Sequence, residues 1–132
     1  MCGAALKVAL VDDDESVRRA LGRLLRMAGM QVDLYASGRE FLAAITDDRP
    51  DCVILDMYMP EMTGMEVQVV LTSRCPDLPI VFITAHDNPV VVRAVLAAGA
   101  ETVLRKPFSE QQLLSAIHAA VAKTTAPAPP HD

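Results

Sequence analysis

The chain has 132 residues, 52% of them hydrophobic and 22% charged, with a mean hydropathy of +0.27. That is the length and composition of one folded domain with an aliphatic core, and it leaves no room for a second domain or for disorder beyond the ends. Twelve basic against seventeen acidic residues give a net charge of −5, which argues against direct nucleic-acid binding because the basic footprint is missing.

Cys2, Cys52 and Cys75 are scattered and contain no CxxC pair. Neither a disulfide framework nor a zinc site is therefore indicated, and a reducing cytoplasm is the expected location. No apolar stretch reaches the roughly 18 residues of a membrane span, and no signal peptide precedes Lys7.

Lys7 to Val11, KVALV, is too short for a helix and reads as a buried first strand, bounded by the acidic cluster Asp12, Asp13, Asp14 and Glu15. From Ser16, Val17, Leu21, Leu24, Leu25 and Ala28 recur at helical spacing, with Arg18, Arg19, Arg23 and Arg26 on the solvated face and Gly29 closing the helix. Gln31 to Tyr35 alternates polar and apolar, as a half-covered strand near a sheet edge does. Ser37 and Glu40 have capping-box spacing for a second helix that carries Phe41, Leu42 and Ile45 inward, with Pro50 marking its end.

Cys52 to Asp56 is the third strand, and a helix follows from about Gly64 through Val67, Val70 and Leu71 to Arg74. Pro79 to Thr84 is a fourth strand, apolar throughout; Asn88 and Pro89 then start a helix that Gly99 terminates. Thr102 to Arg105 is a short fifth strand, and Ser109 caps a last helix with Leu113, Leu114, Ile117 and Val121 inward. The chain thus divides into an extension over residues 1–6, one domain over 7–123, and an Ala- and Pro-rich tail or linker over 124–132.

Five strands alternating with five helices imply an α/β fold, a single doubly wound parallel sheet with helices on both faces. With strands one, three and four central, the strand order is 2-1-3-4-5, and ligands bind beyond the strand ends at its switch point. Asp12, Asp13, Asp56, Thr84 and Lys106 each follow an apolar strand and so meet on that rim. Any one of them could merely cap an exposed amide. Five together indicate a site.

Carboxylates about 4 Å apart repel by roughly 4 kcal/mol at an effective dielectric near 20, so a cation must offset them. A hard divalent ion such as Mg²⁺ suits an all-oxygen set. Lys106 and the Thr84 hydroxyl can meet the oxygens of a phosphoryl group, leaving Asp56 as the nucleophile.

These residues resemble the receiver domain of two-component response regulators, over the chain from about Lys7 to Ala122. The matching motifs are VDDDE at 11–15, ILDMYMPEMTG at 54–64, ITA at 83–85 and KPF at 106–108. The resemblance implies that Asp56 is the phosphoacceptor, that Asp13 binds Mg²⁺ with Asp12 completing the acidic pair, and that the Tyr58 carbonyl is a further metal ligand. Thr84 is then the switch hydroxyl and Lys106 its ionic partner, with a cis peptide before Pro107. Tyr58 and His86 occupy positions that tune phosphoryl lifetime in this family. The implied partners are a histidine kinase or histidine phosphotransfer protein, with the Arg-bearing first helix on the kinase side. A homodimer through helix 4, strand 5 and helix 5 is implied as well, for which the apolar fourth helix exposes some of Val90, Val91, Val92 and Val95.

The family's aromatic residue three before the lysine is replaced here by Val103. A valine cannot swing a ring between two positions, so the readout is expected to run through the loop after Thr84 and the fourth helix. Met57, Met59, Met62 and Met65 read as adaptable packing, and Cys52 as inert core.

The expected role is a phosphorylation-controlled signalling module and not an enzyme in the usual sense, since it catalyses only its own phosphorylation and dephosphorylation. The alternative is a stand-alone receiver acting as a phosphorelay intermediate or protein-binding module. A dehalogenase-type phosphatase needs a second Asp where Tyr58 stands, and a flavin or nucleotide module needs a glycine-rich loop where Asp12 to Glu15 would repel phosphate.

Overall fold

The three strands with unbroken apolar runs lie in the middle of one sheet. In a computed structural model, which describes residues 5–45, 49–86 and 88–125, the strands are β1 (Lys7–Val11), β2 (Gln31–Tyr35), β3 (Cys52–Asp56), β4 (Ile80–Thr84) and β5 (Thr102–Arg105). The helices are α1 (Glu15–Met27), α2 (Gly38–Ala44), α3 (Gly64–Arg74), α4 (Pro89–Ala97) and α5 (Glu110–Thr125). All strand pairs are parallel, in the predicted order β2-β1-β3-β4-β5.

Strand alternation splits the core in two. Ala9, Val11, Val53, Leu55 and Phe82 face one way, against Phe41 and Leu42 of α2, Val67 and Leu71 of α3 and Val95 of α4. Val8, Leu10, Cys52, Ile54, Val81 and Ile83 face the other, against Leu25 of α1 and Leu113, Ile117 and Val121 of α5. Burial on both faces is why these strands read as unbroken apolar runs, whereas β2, at the edge, shows its polar alternation. Cys52 lies in this core, and burial pushes its thiol up to about 12, the state of an inert side chain.

Local signals set most element ends, with instructive departures. Asp14 caps α1, so the helix starts at Glu15, one residue before Ser16, and Ala28 is exposed at its C-cap instead of lying on the inward stripe. Gly29 follows with φ +90°, the left-handed turn that glycine adopts without a Cβ clash. Ser37 caps α2 as expected, but Glu40 accepts from the amide of Ala36 and not from that of Ser37, so the box is displaced by one residue. A full capping box sits instead on α3, between Thr63 and Glu66. The second helix ends at Ala44, well before Pro50. The last helix runs to Thr125, past the residue where the tail was expected to begin; 126–132 and 1–4 lie outside the described residues. No helix among the described residues is long and apolar enough to cross a membrane.

The loop after β3 carries a strained residue. Glu61 has φ 69°, a left-handed conformation that costs a side-chain-bearing L-residue about 1–2 kcal/mol. Glu61→Gly is expected to raise stability by about 0.5–1 kcal/mol after the added chain entropy of glycine is deducted. A urea-denaturation midpoint checks it; Glu61→Ala, which keeps the Cβ, should gain nothing comparable.

Candidate functional site

The sheet register brings the strand ends together. Asp56 pairs with Ile83 and Thr84 with Arg105 across the parallel ladder, so Asp12, Asp56, Thr84 and Lys106 emerge along one rim beyond β1, β3, β4 and β5. Asp12 and Thr84 are fully buried, Asp56 is 5% exposed, and Asp13 is exposed. One carboxylate oxygen from each of Asp12, Asp13 and Asp56 lies within 4.8 Å of the others, a spacing that can hold a metal ion. Three converging oxygen donors with little soft or nitrogen ligation suit a hard divalent cation. The residues present therefore fit magnesium.

Lys106 bridges two of the acids. Its Nζ donates to Asp12 Oδ2 at 3.1 Å and stands 3.8 Å from Asp56 Oδ1. The Lys106–Pro107 peptide is cis, as expected for this site. Asp56 is pushed up from 3.8 to about 7, first by burial and next by the negative charge of Asp12, with Asp13 adding to the rise. Lys106 and a hydrogen bond from the Tyr58 amide pull the other way without winning. A carboxylate with so raised a proton affinity, beside a lysine and two more acids, marks this rim as the candidate site.

Asp12 is held at every polar atom. Its amide donates to Tyr35 O at 3.1 Å, its Oδ1 accepts from the Asp14 amide, its Oδ2 from Lys106, and its carbonyl from Arg18 Nη1 at 2.7 Å. This corrects the reading of Arg18 as part of a merely solvated face. A long arginine at the fourth position of a helix that starts at the rim can turn back over it, a reach that helical periodicity does not display. Arg26 likewise leaves that face to donate to Val32 O, while Arg19 stays outside with Glu15.

Thr84 is on the rim, but its hydroxyl is engaged with the following loop. Oγ1 donates to His86 O at 2.7 Å and accepts from the His86 amide at 3.1 Å. The Tyr58 and His86 rings meet edge-on at 6.4 Å across the rim. Thr84, Pro89, Val92, Val103 and Arg105 line a cavity of about 330 Å³, so the valine at 103 leaves open space beside the threonine. Gly64 closes the site from below: a Cβ there would run into the Asp56 carbonyl oxygen and lie 3.0 Å from Met57 Cα and the Phe82 ring. Met57 and Met59 are buried and Met62 and Met65 pack at the edge of the same cluster, in keeping with a packing role.

Comparison with known proteins gives one answer. The family model described as response regulator receiver domain matches residues 8–118. Response regulator MprA of Mycolicibacterium vanbaalenii is 43% identical over 120 residues, covering 91% of this chain and 52% of the relative. The chain thus spans about half the length of the curated relatives it matches. Among solved structures, chemotaxis protein CheY4 of Vibrio cholerae superposes with TM-score 0.82 at 35% identity, covering 89% of this chain and 99% of that one. A receiver domain protein from Clostridium thermocellum superposes with TM-score 0.85 at 28% identity, over 89% and 95% of the two chains.

Proposed function

This chain belongs to the response regulator receiver domain family, signalling proteins and not conventional enzymes, and from that premise we propose that Asp56 accepts a phosphoryl group from a phosphohistidine. A histidine kinase or a histidine phosphotransfer protein is the donor. One oxygen of the Asp56 carboxylate attacks phosphorus, the phosphorus–nitrogen bond to the histidine breaks, and the electron pair leaves with the imidazole. The observation that carries this reading is the convergence of Asp12, Asp13 and Asp56 within 4.8 Å, with Lys106 Nζ 3.1 Å from Asp12 and 3.8 Å from Asp56.

Each neighbour has a part in that step. Lys106 stands close enough to Asp56 to pair with a phosphoryl oxygen placed on it. Thr84, once released from His86, supplies a hydroxyl donor to a second oxygen. Asp13, Asp56 and the Tyr58 carbonyl would hold Mg²⁺, with Asp12 completing the acidic set. Bound there, the ion neutralises charge on the phosphoryl oxygens during transfer. Tyr58 and His86, in ring contact at the rim, are placed to limit water's approach to an aspartyl phosphate and so to tune its lifetime.

The domain spans residues 7–123 in this reading and works in the cytoplasm, passing its state to a partner or output segment. Likeness to curated relatives about twice as long supports a receiver within a longer regulator over the stand-alone alternative. Exposed Val90 on α4, 71% accessible, supports self-association through α4, β5 and α5.

Incubation with acetyl phosphate and magnesium tests the proposal. The expected product is a hydroxylamine-labile adduct on Asp56, detected by intact mass, with labelling abolished in Asp56→Asn. Labelling that persists in Asp56→Asn, or none in the parent, would sink it.

A further inference from the structure

Four polar side chains are buried among the described residues: Asp12, Asp56, Thr84 and Gln68. The first three form the rim. Gln68, 4% exposed, lies away from it on α3, where Val67 and Leu71 make the apolar contacts. An amide is costly to bury unless hydrogen-bonded, and a leucine or methionine would fill the same space without that cost. Its Nε2 donates to Val95 O at 2.9 Å, joining α3 to α4 across 27 residues of sequence.

The two helices it joins are held very differently. Helix α3 is anchored at both ends, by the Thr63–Glu66 box and the Gly64 amide on Met57 O at its start, and by Arg74 Nη1 on Leu42 O at its end. Helix α4 has one buried side chain, Val95. Its Val90 and Leu96 are 71% and 42% exposed. Its first turn overlies the cavity of about 330 Å³ between Thr84 and Val103. Its approach is the turn closed by the Thr84 hydroxyl on His86. For so lightly seated a helix, one buried hydrogen bond to an anchored neighbour is a large part of what fixes its place.

We infer that Gln68 is a positioning residue for α4, tethering its last turn to α3 in the arrangement in which the Thr84 hydroxyl is bonded to His86, and so setting how readily the helix follows Thr84 toward Asp56. The inference rests on the reading of Asp56 as phosphoacceptor. When Thr84 turns to a phosphoryl oxygen it gives up His86 O, and the loop into α4 must move. The open space at Val103 lets the first turn of α4 yield, while the amide of Gln68 holds the last turn back. An aromatic switch is not needed for such a readout.

The test uses Gln68→Met and Gln68→Leu, two apolar replacements of different shape. Val95 O keeps its second donor, the Ala100 amide at 3.0 Å, so neither variant strands a buried carbonyl, and urea stability should stay near that of the parent. Amide hydrogen exchange over residues 88–98, measured without any phosphoryl analogue, should speed up by roughly three- to ten-fold, the worth of one net hydrogen bond, with β1, β3 and α3 unchanged. Affinity for beryllofluoride in the presence of magnesium should rise by a similar factor, because the competing arrangement has been weakened. Parental exchange and parental affinity in both variants would overturn the inference, as would a loss of protection spread evenly through the domain. A parent that fails to bind beryllofluoride would instead defeat the assignment of Asp56, and is distinguished by being seen before any substitution is made.

Discussion

At about pH 8 and without divalent metal, Asp56→Asn is expected to be more stable than the parent by up to about 4 kcal/mol. Asp56 is raised in the folded protein from 3.8 to about 7, chiefly by burial and then by Asp12. Between those values the folded protein keeps a proton that the unfolded chain has released, so stability falls as pH rises through this window. The contribution is fully present below about pH 4 and lost above about pH 7. Asparagine has no proton to lose, so the gap between variant and parent should open across that range and close again in acid. Urea denaturation in a chelator at a series of pH values measures it. Magnesium should narrow the gap by binding the folded parent. A parent whose stability is flat from about pH 4 to 8 would show that the rim is not electrostatically loaded as its geometry requires.

Lys106→Met should act in the opposite direction. Asp12 is fully buried and Lys106 Nζ sits 3.1 Å from it, so removing the lysine strands a charge, at a cost of about 3 kcal/mol near neutral pH. Labelling of Asp56 by acetyl phosphate should also fall by about 100-fold, since a positioned cation on the transferred group is lost. The two effects separate in the double variant with Asp56→Asn. It should regain part of the stability, because one of the repelling acids is neutral, and it should not label at all. A Lys106→Met protein as stable and as reactive as the parent would remove the lysine from the site.

Most of the architecture was legible because its causes are local and repeated. Unbroken apolar runs of four residues mark strands buried on both faces, Asn88–Pro89 and Ser109 mark helix starts, and Gly29 and Gly99 mark the left-handed turns that end two helices. Spacing alone does not choose between neighbouring partners. Glu40 accepts from the amide of Ala36 and not from that of Ser37. Thr63 and Glu66 have the same spacing and form the full box. Of the four valines of α4, some of which were expected at the surface, Val95 is the one that seats the helix. Periodicity over a short, almost wholly apolar helix cannot say which side faces the sheet.

The site divides in the same way. That Asp12, Asp13, Asp56, Thr84 and Lys106 share a rim follows from strand ends and topology, and both are written in the order of apolar runs and turns. Fold, family and the convergence of the acids are therefore encoded in the order of residues along the chain. What those groups contact is settled when the elements pack: Arg18 on the Asp12 carbonyl, the Thr84 hydroxyl on His86, and Gln68 reaching across to Val95. Such contacts depend on distances of about 3 Å between the ends of side chains whose backbones lie on different elements. Spacing along the chain carries which face a residue occupies, whereas rotamer and neighbour are chosen when the helices settle on the sheet, because only then do the low dielectric and the close packing make one hydrogen-bond partner better than water.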